Sequence, residues 1–208
     1  MRFLTSRGDY RMGHVDSIDA HVICIPYADQ RFVAMIILPD SRDGLSVTEL
    51  KLMNSNRWNE LVHSTFRNLP IQHVKLAVPK VDFRVALPMK AVMQSAGFES
   101  LFSARGNPLA GMAPRQDLCV SSYYQHTRVK FSSQGKLDHT GQTLSPTIKR
   151  STAESNCCAR SVPYDKKNKK KVVKFNVNHP FLFLICNIQD PYCTRVGFIG
   201  RVCKPVST

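Results

Sequence analysis

The spacing of apolar positions changes repeatedly along the chain, and each change predicts an element. His21–Pro26 and Phe32–Leu38 are nearly continuous apolar runs separated by the polar stretch Tyr27–Arg31. They read as a β-hairpin buried on both faces, since a strand with one wet face alternates and these do not. Pro39–Gly44 is a turn, and Ser46-Val-Thr-Glu49 matches a capping box at a helix start. Trp58, Leu61, Val62 and Phe66 lie on one face of a second, amphipathic helix, where Trp58 serves core packing. Val74–Val78 alternates toward a strand that Pro79 ends, and Val81–Leu87 is another short strand. Pro88 and Gly97 bracket a short helix, with proline at the first helical position and glycine just past the end. Val120–Phe131 reads as a long strand, and Val172–Val177, Pro180–Ile188 and Arg195–Cys203 close the chain as strands. Strands mostly consecutive, with a few helices among them, make an α+β fold.

Between Gly135 and Lys171 the periodicity vanishes into Ser, Thr, Asn, Gly and Lys. A loop of that length is far beyond the roughly 12–15 residues usual inside a compact domain, so it is functional or disordered. Charge concentrates there too. The 208 residues carry 29 Lys+Arg against 15 Asp+Glu, a formal charge of +14. Residues 136–174 alone hold 10 basic and 3 acidic side chains, half of that surplus. Within them Lys166, Lys167, Lys169, Lys170 and Lys171 form a run that suits a polyanion such as heparin or nucleic acid. A solvated loop is the plainer reading, because no aromatic residues interleave the lysines as a single-strand binder needs.

The length allows one domain or two small ones, and 43% apolar content is that of a globular chain. The longest apolar runs fall well short of the roughly 20 residues of a membrane span, and Met1–Asp9 has no signal-peptide core. Seven cysteines leave at least one thiol free, and Cys24 and Cys186 sit in apolar runs that predict buried thiols. The sequence contains no phosphate-binding Gly-Lys-Ser/Thr loop, dinucleotide glycine motif, zinc-protease His pair or nucleophile elbow. The histidines at 14, 21, 63, 73, 126, 139 and 179 show no ligand spacing, and Cys157-Cys158 cannot open a zinc site without distant partners. The expectation is a protein that is not an enzyme, with no cofactor and no metal.

Several stretches, in order, resemble the C-terminal half of a serpin. The clearest are Val177-Asn-His-Pro-Phe-Leu-Phe183 and Gly197-Phe-Ile-Gly-Arg-Val-Cys-Lys-Pro205, which resemble the two buried strands that end the family's domain. Ile25-Pro-Tyr27, Met35-Ile-Ile-Leu-Pro39, Leu76-Ala-Val-Pro-Lys80 and Met93-Gln-Ser-Ala-Gly-Phe98 match in the right order. The resemblance implies that residues 1–208 form a partial serpin domain, with mixed sheets, a few helices and a reactive-centre-like loop over 135–172. In that family a serine protease attacks an exposed loop as substrate. The loop then inserts into the large sheet as a new strand and distorts the attacker, releasing strain stored in a metastable fold.

Carried over residue by residue, Gly135 resembles the hinge glycine, followed by Lys136 and Asp138 where the family uses small uncharged side chains. Those two share a face of an extended strand, and burying either charge unpaired costs several kcal/mol, roughly. Counting fourteen residues on from Gly135 puts the scissile bond between Lys149 and Arg150, which suits a trypsin-like serine protease; Arg150, Arg160 or a lysine of the run are the alternatives. Gln125 occupies the place of a frequent family histidine, with His126 beside it on the opposite face as a partly exposed sheet residue. Three functions follow: a serine-protease inhibitor, a non-inhibitory binding or carrier protein favoured by the charged hinge, or a polyanion binder. The likeness points to the extracellular space, and the cytoplasm stays open. The terminal strands and the 21–38 hairpin are expected in one sheet, with Phe181, Phe183, Phe198 and Ile199 in its core.

Overall fold

The computed structural model describes residues 3–27, 31–54, 58–104, 109, 111–112, 118–131, 171–190 and 195–204. They fall into two compact units, one formed by the residues up to Val81 together with those from Lys130 on, the other by Asp82–Val129.

The first unit is a seven-stranded sheet in the order β7-β4-β1-β2-β3-β8-β9. Its strands are β1 (Phe3–Val15), β2 (Ala20–Pro26), β3 (Phe32–Pro39), β4 (Ile71–Pro79), β7 (Val173–Asn176), β8 (Phe181–Asn187) and β9 (Arg195–Val202). All neighbours run antiparallel except β4 and β7, which are parallel. The continuous apolar runs of β2, β3 and β8 are the central strands and are buried on both faces, as their lack of alternation predicts. On one face, Val22, Cys24, Met35, Ile37 and Leu184 pack under Leu52 of α1 (Leu45–Asn54) and Val62 and Phe66 of α2 (Trp58–Asn68). On the other, Met12, Ile23, Ile36, Leu76, Phe181 and Phe183 are buried. The side chains of Trp58 and Leu61 lie outside the described residues.

Several features differ from the pattern read along the chain. Residues 3–15 carry no apolar run, yet they form the longest strand among the described residues, because β1 is paired on both sides. Phe3–Arg11 pairs with β4 and Arg11–Val15 with β2, so Arg11 is the point where the strand passes from one partner to the other. The capping box is displaced: the Thr48 amide donates to the Gly44 carbonyl at 3.0 Å, so the helix starts at Leu45 and Ser46 already lies inside it. Glu49 instead faces Arg201 at 3.5 Å, while the buried Thr48 hydroxyl donates to the Ile18 carbonyl at 3.2 Å. Phe181 and Phe183 are core residues, but Phe198 and Ile199 are 38% and 60% exposed. The reason is position. β9 is an edge strand whose register shifts at Ile185/Cys186, and an open groove bounded by Leu52, Met53 and Arg201 leaves Ile199 wet. Gly200 is the point of closest approach, since a Cβ there would stand 2.4 Å from the Phe183 ring. Finally, the strand expected over Val120–Phe131 is shorter.

In the second unit, β5 (Asp82–Pro88) pairs with β6 (Tyr124–Lys130). Pro88 closes β5 rather than opening a helix. A single turn, α3 (Lys90–Met93), follows and loosens into a π-type turn over Gln94–Phe98. Gly97 lies inside that turn at φ +92°, a conformation that glycine adopts without steric cost. No helix among the described residues is long and apolar enough to cross a membrane.

Candidate functional site

The long segment starts and ends on fixed strands. β6 is held to β5 by the Arg128 guanidinium, which forks onto the Asp82 carboxylate with two hydrogen bonds of 3.1 Å. After Lys130 the chain is pinned at Phe131, whose amide donates to the Val81 carbonyl at 2.8 Å. The Phe131 ring is buried and stands edge-on to Phe183, with centroids 5.4 Å apart and planes at 85°. Leu4, Ile36, Val78 and Ile185 complete the apolar pocket around it. The return is pinned as firmly. β7 runs parallel to β4 with Leu76 opposite Phe175, which is buried, and the Val177 amide donates to Ala77 O at 2.9 Å. Apolar side chains at 131 and 175 thus clamp both ends of the intervening segment.

Most residues singled out from the sequence lie between these clamps. Gly135, Lys136, Asp138, Lys149, Arg150, Lys166, Lys167, Lys169 and Lys170 are outside the described residues, as is Arg160. Lys171 is described and exposed, two residues before β7. Gln125 and His126 are both exposed on β6. Cys24 and Cys186 are buried as expected; burial pushes the Cys186 thiol up to about 12 and raises that of Cys24 further, with the neighbouring Cys186 adding to it.

The fold also gathers residues that sequence spacing had set aside. His14 at the end of β1 pairs in register with His21 near the start of β2, and their rings meet edge to face at 4.8 Å. Asp40, just past β3, divides its carboxylate between them: Oδ2 lies 2.7 Å from His14 Nε2 and Oδ1 lies 3.0 Å from His21 Nδ1. Asp16 Oδ1 takes the other side of His14, 2.6 Å from Nδ1. Hydrogen bonds to the Asp40 and Asp16 carboxylates hold His14 above the ordinary histidine range. Partial desolvation opposes ionisation of Asp40, but its bonds to the two histidines keep it below the usual carboxylate value. The spacing of the histidines along the chain does not show this grouping. Six residues separate His14 from His21 along the chain, and the β1–β2 register joins them. A strand assignment over residues 11–15 would have revealed it.

A family model described as Serpin (serine protease inhibitor) matches residues 1–205. The chain belongs to the serpin family. Serpin B12 of Homo sapiens is 25% identical over 209 residues, covering 99% of this chain and 46% of its own length. Iris of Ixodes ricinus is 26% identical over 196 residues, covering 94% and 46%. Among solved structures, a tumour-suppressing serpin superposes with a TM-score of 0.68 at 19% identity, over 98% of this chain and 46% of that one. Uncleaved ovalbumin gives 0.68 at 19%, over 98% and 44%. Those likenesses establish the α+β serpin fold. The chain spans about half the length of the curated relatives it matches. The matched relatives give the extracellular placement no support.

Proposed function

We propose that this chain is the loop-bearing part of a serpin-type serine-protease inhibitor, with 135–172 as its reactive-centre-like segment, and that by itself it meets a trypsin-like protease as a substrate. The observation that carries the reading is the double clamp. A basic segment of some forty residues leaves one strand at buried Phe131 and re-enters another at buried Phe175, which is how a cleavable bait is displayed on a rigid frame. Cleavage follows Lys149 or Arg150, where the basic side chain enters an acidic specificity pocket. Trapping requires the hinge to enter a sheet beside β6. Among the described residues that sheet has two strands, and Lys136 and Asp138 would have to leave water to join it.

Denaturing gels after mixing with trypsin test this. The expected result is a fragment ending at Lys149 or Arg150 and a fully active protease. A covalent band at the summed mass overturns it. In a longer protein that supplies the neighbouring strands, Lys136→Thr with Asp138→Ala is expected to increase trapping.

One observation favours a polyanion-binding role beside it. Arg7, Lys75 and Lys174 lie directly opposite one another across β1, β4 and β7, all exposed, with Lys171 just upstream on the chain. Like charges facing each other across a sheet are destabilising, and a bound polyanion relieves that. Retention on heparin that falls steeply with salt, and falls further in Lys75→Ala, supports it; salt-independent elution refutes it.

A further inference from the structure

We propose that His14, His21 and Asp40 form a binding site for a zinc-class divalent cation, oriented by Asp16. Three separate pieces of chain converge there, and each is fixed by backbone bonds rather than by the side chains themselves. The β1–β2 ladder sets His14 opposite His21. The β2–β3 ladder brings Ala20 opposite Pro39, and the Asp40 amide donates to the Asp19 carbonyl at 3.1 Å. One ligand atom from each of the three residues lies within 4.8 Å of the others. Bound to one zinc ion at tetrahedral angles, such atoms stand about 3.3 Å apart. Asp40 offers a different oxygen to each ring, Oδ2 at 2.7 Å from His14 Nε2 and Oδ1 at 3.0 Å from His21 Nδ1, so its carboxylate can hold an ion between the two imidazoles through one oxygen or both once the side chains adjust around it.

The hydrogen-bond pattern argues for a cation in the same place. His14 faces a carboxylate at each ring nitrogen, Asp16 2.6 Å from Nδ1 and Asp40 2.7 Å from Nε2. A metal ion placed between Nε2 and Asp40 is bonded by both. Nδ1–H then still donates to Asp16, which is the carboxylate–histidine–metal relay that fixes the ring's orientation and strengthens it as a ligand. Two carboxylates around two imidazoles also make this a locally acidic spot on a chain of net charge +14. Two nitrogen ligands and one oxygen favour zinc, or copper in its divalent state, over magnesium or calcium, which take oxygen. His179 does not join them, because its Nε2 lies 2.7 Å from the Pro39 carbonyl and its Nδ1 2.8 Å from Asn178 Oδ1. With side chains 35–47% exposed, the three ligands leave at least one coordination position to water. A bound ion would tie the end of β1 to the end of β3 through β2.

The test uses the full chain without an affinity tag, its accessible thiols alkylated, titrated with zinc chloride against a chromogenic chelator. One zinc per chain is expected. His21→Ala and Asp40→Asn should each weaken binding at least tenfold. Asp16→Asn, which removes no ligand, should weaken it by about tenfold with the stoichiometry kept. Unchanged affinity in His21→Ala overturns the proposal. A second measurement on the unaltered sequence decides the matter even where a variant does not fold. Modification by diethyl pyrocarbonate, mapped by mass spectrometry, should slow at His14 and His21 in saturating zinc but not at His73, which pairs with Asp9 at 2.9 Å outside the site. Equal rates at His14 and His21 with and without zinc sink the idea. So does a sulfur-to-metal charge-transfer band with cobalt, which would place the ion on cysteine.

Discussion

The seven-stranded unit and the 82–129 unit are built from similar sequence and end in opposite states. In the first, central strands bury side chains on both faces, and Phe181, Ile23, Met35 and Leu184 are almost wholly removed from water. In the second, no described residue is buried, and Val85, Leu87, Val92, Phe98, Tyr123 and Tyr124 are exposed. Both contain strands with β-branched and aromatic residues, so propensity does not separate them. The difference lies in how many neighbours each strand has. A two-stranded ribbon has one paired edge per strand and is marginal in water, whereas β3 lies between β2 and β8 and under α1. An apolar strand becomes core only when chain from elsewhere covers it. The open apolar surface of 82–129 makes the isolated chain prone to association, and a monodisperse sample with a sharp cooperative melt would contradict this.

The comparison breaks most visibly at a large side chain. Phe181→Ala should lower unfolding stability by about 3–5 kcal/mol, whereas Leu87→Ala should change it by less than about 0.5 kcal/mol. Urea denaturation followed by fluorescence or circular dichroism checks both, and equal costs would mean that Leu87 is covered in solution. A smaller effect probes packing at the edge of the large sheet. Gly200→Ala forces a methyl group against the Phe183 ring and should cost about 1–3 kcal/mol, even though β9 is an edge strand. The smallest concerns a side-chain contact across the two-stranded ribbon. Arg128→Ala removes the fork onto Asp82, but both side chains are partly exposed, so the loss should stay under about 1 kcal/mol and shrink in salt. Amide exchange along β6 is the measurement that resolves so small a change.

How much of this was readable in the sequence depends on whether local or distant chain decides each feature. The 21–38 hairpin and β8 were legible because burial on both faces leaves an uninterrupted apolar run. β1 was not, since Thr5, Ser6, Arg7, Gly8 and Asp9 give no apolar signal and the strand owes its existence to pairing with β4 on one side and β2 on the other. Phe198 and Ile199 were misplaced because residue type predicts burial only where something lies on top. The strands on either side of residues 132–170 were legible from their apolar residues, although the first proved shorter than its pattern suggested. The His14–His21–Asp40 cluster was hidden, because register is a property of two strands and no spacing in one of them encodes it.

The place of β8 between β3 and β9 has a consequence for how the protein is made. Ile37 pairs with Leu182, so about 145 residues must be synthesised after β3 before its partner exists. At roughly 5–20 residues per second the ribosome needs about 7–30 s for that stretch. During this interval Phe32–Leu38 waits as a bare, uncharged strand edge, the kind of surface that captures other nascent chains. The hairpin that is easiest to recognise in the sequence is therefore also where a holding chaperone has the most to protect, until the last strands leave the ribosome.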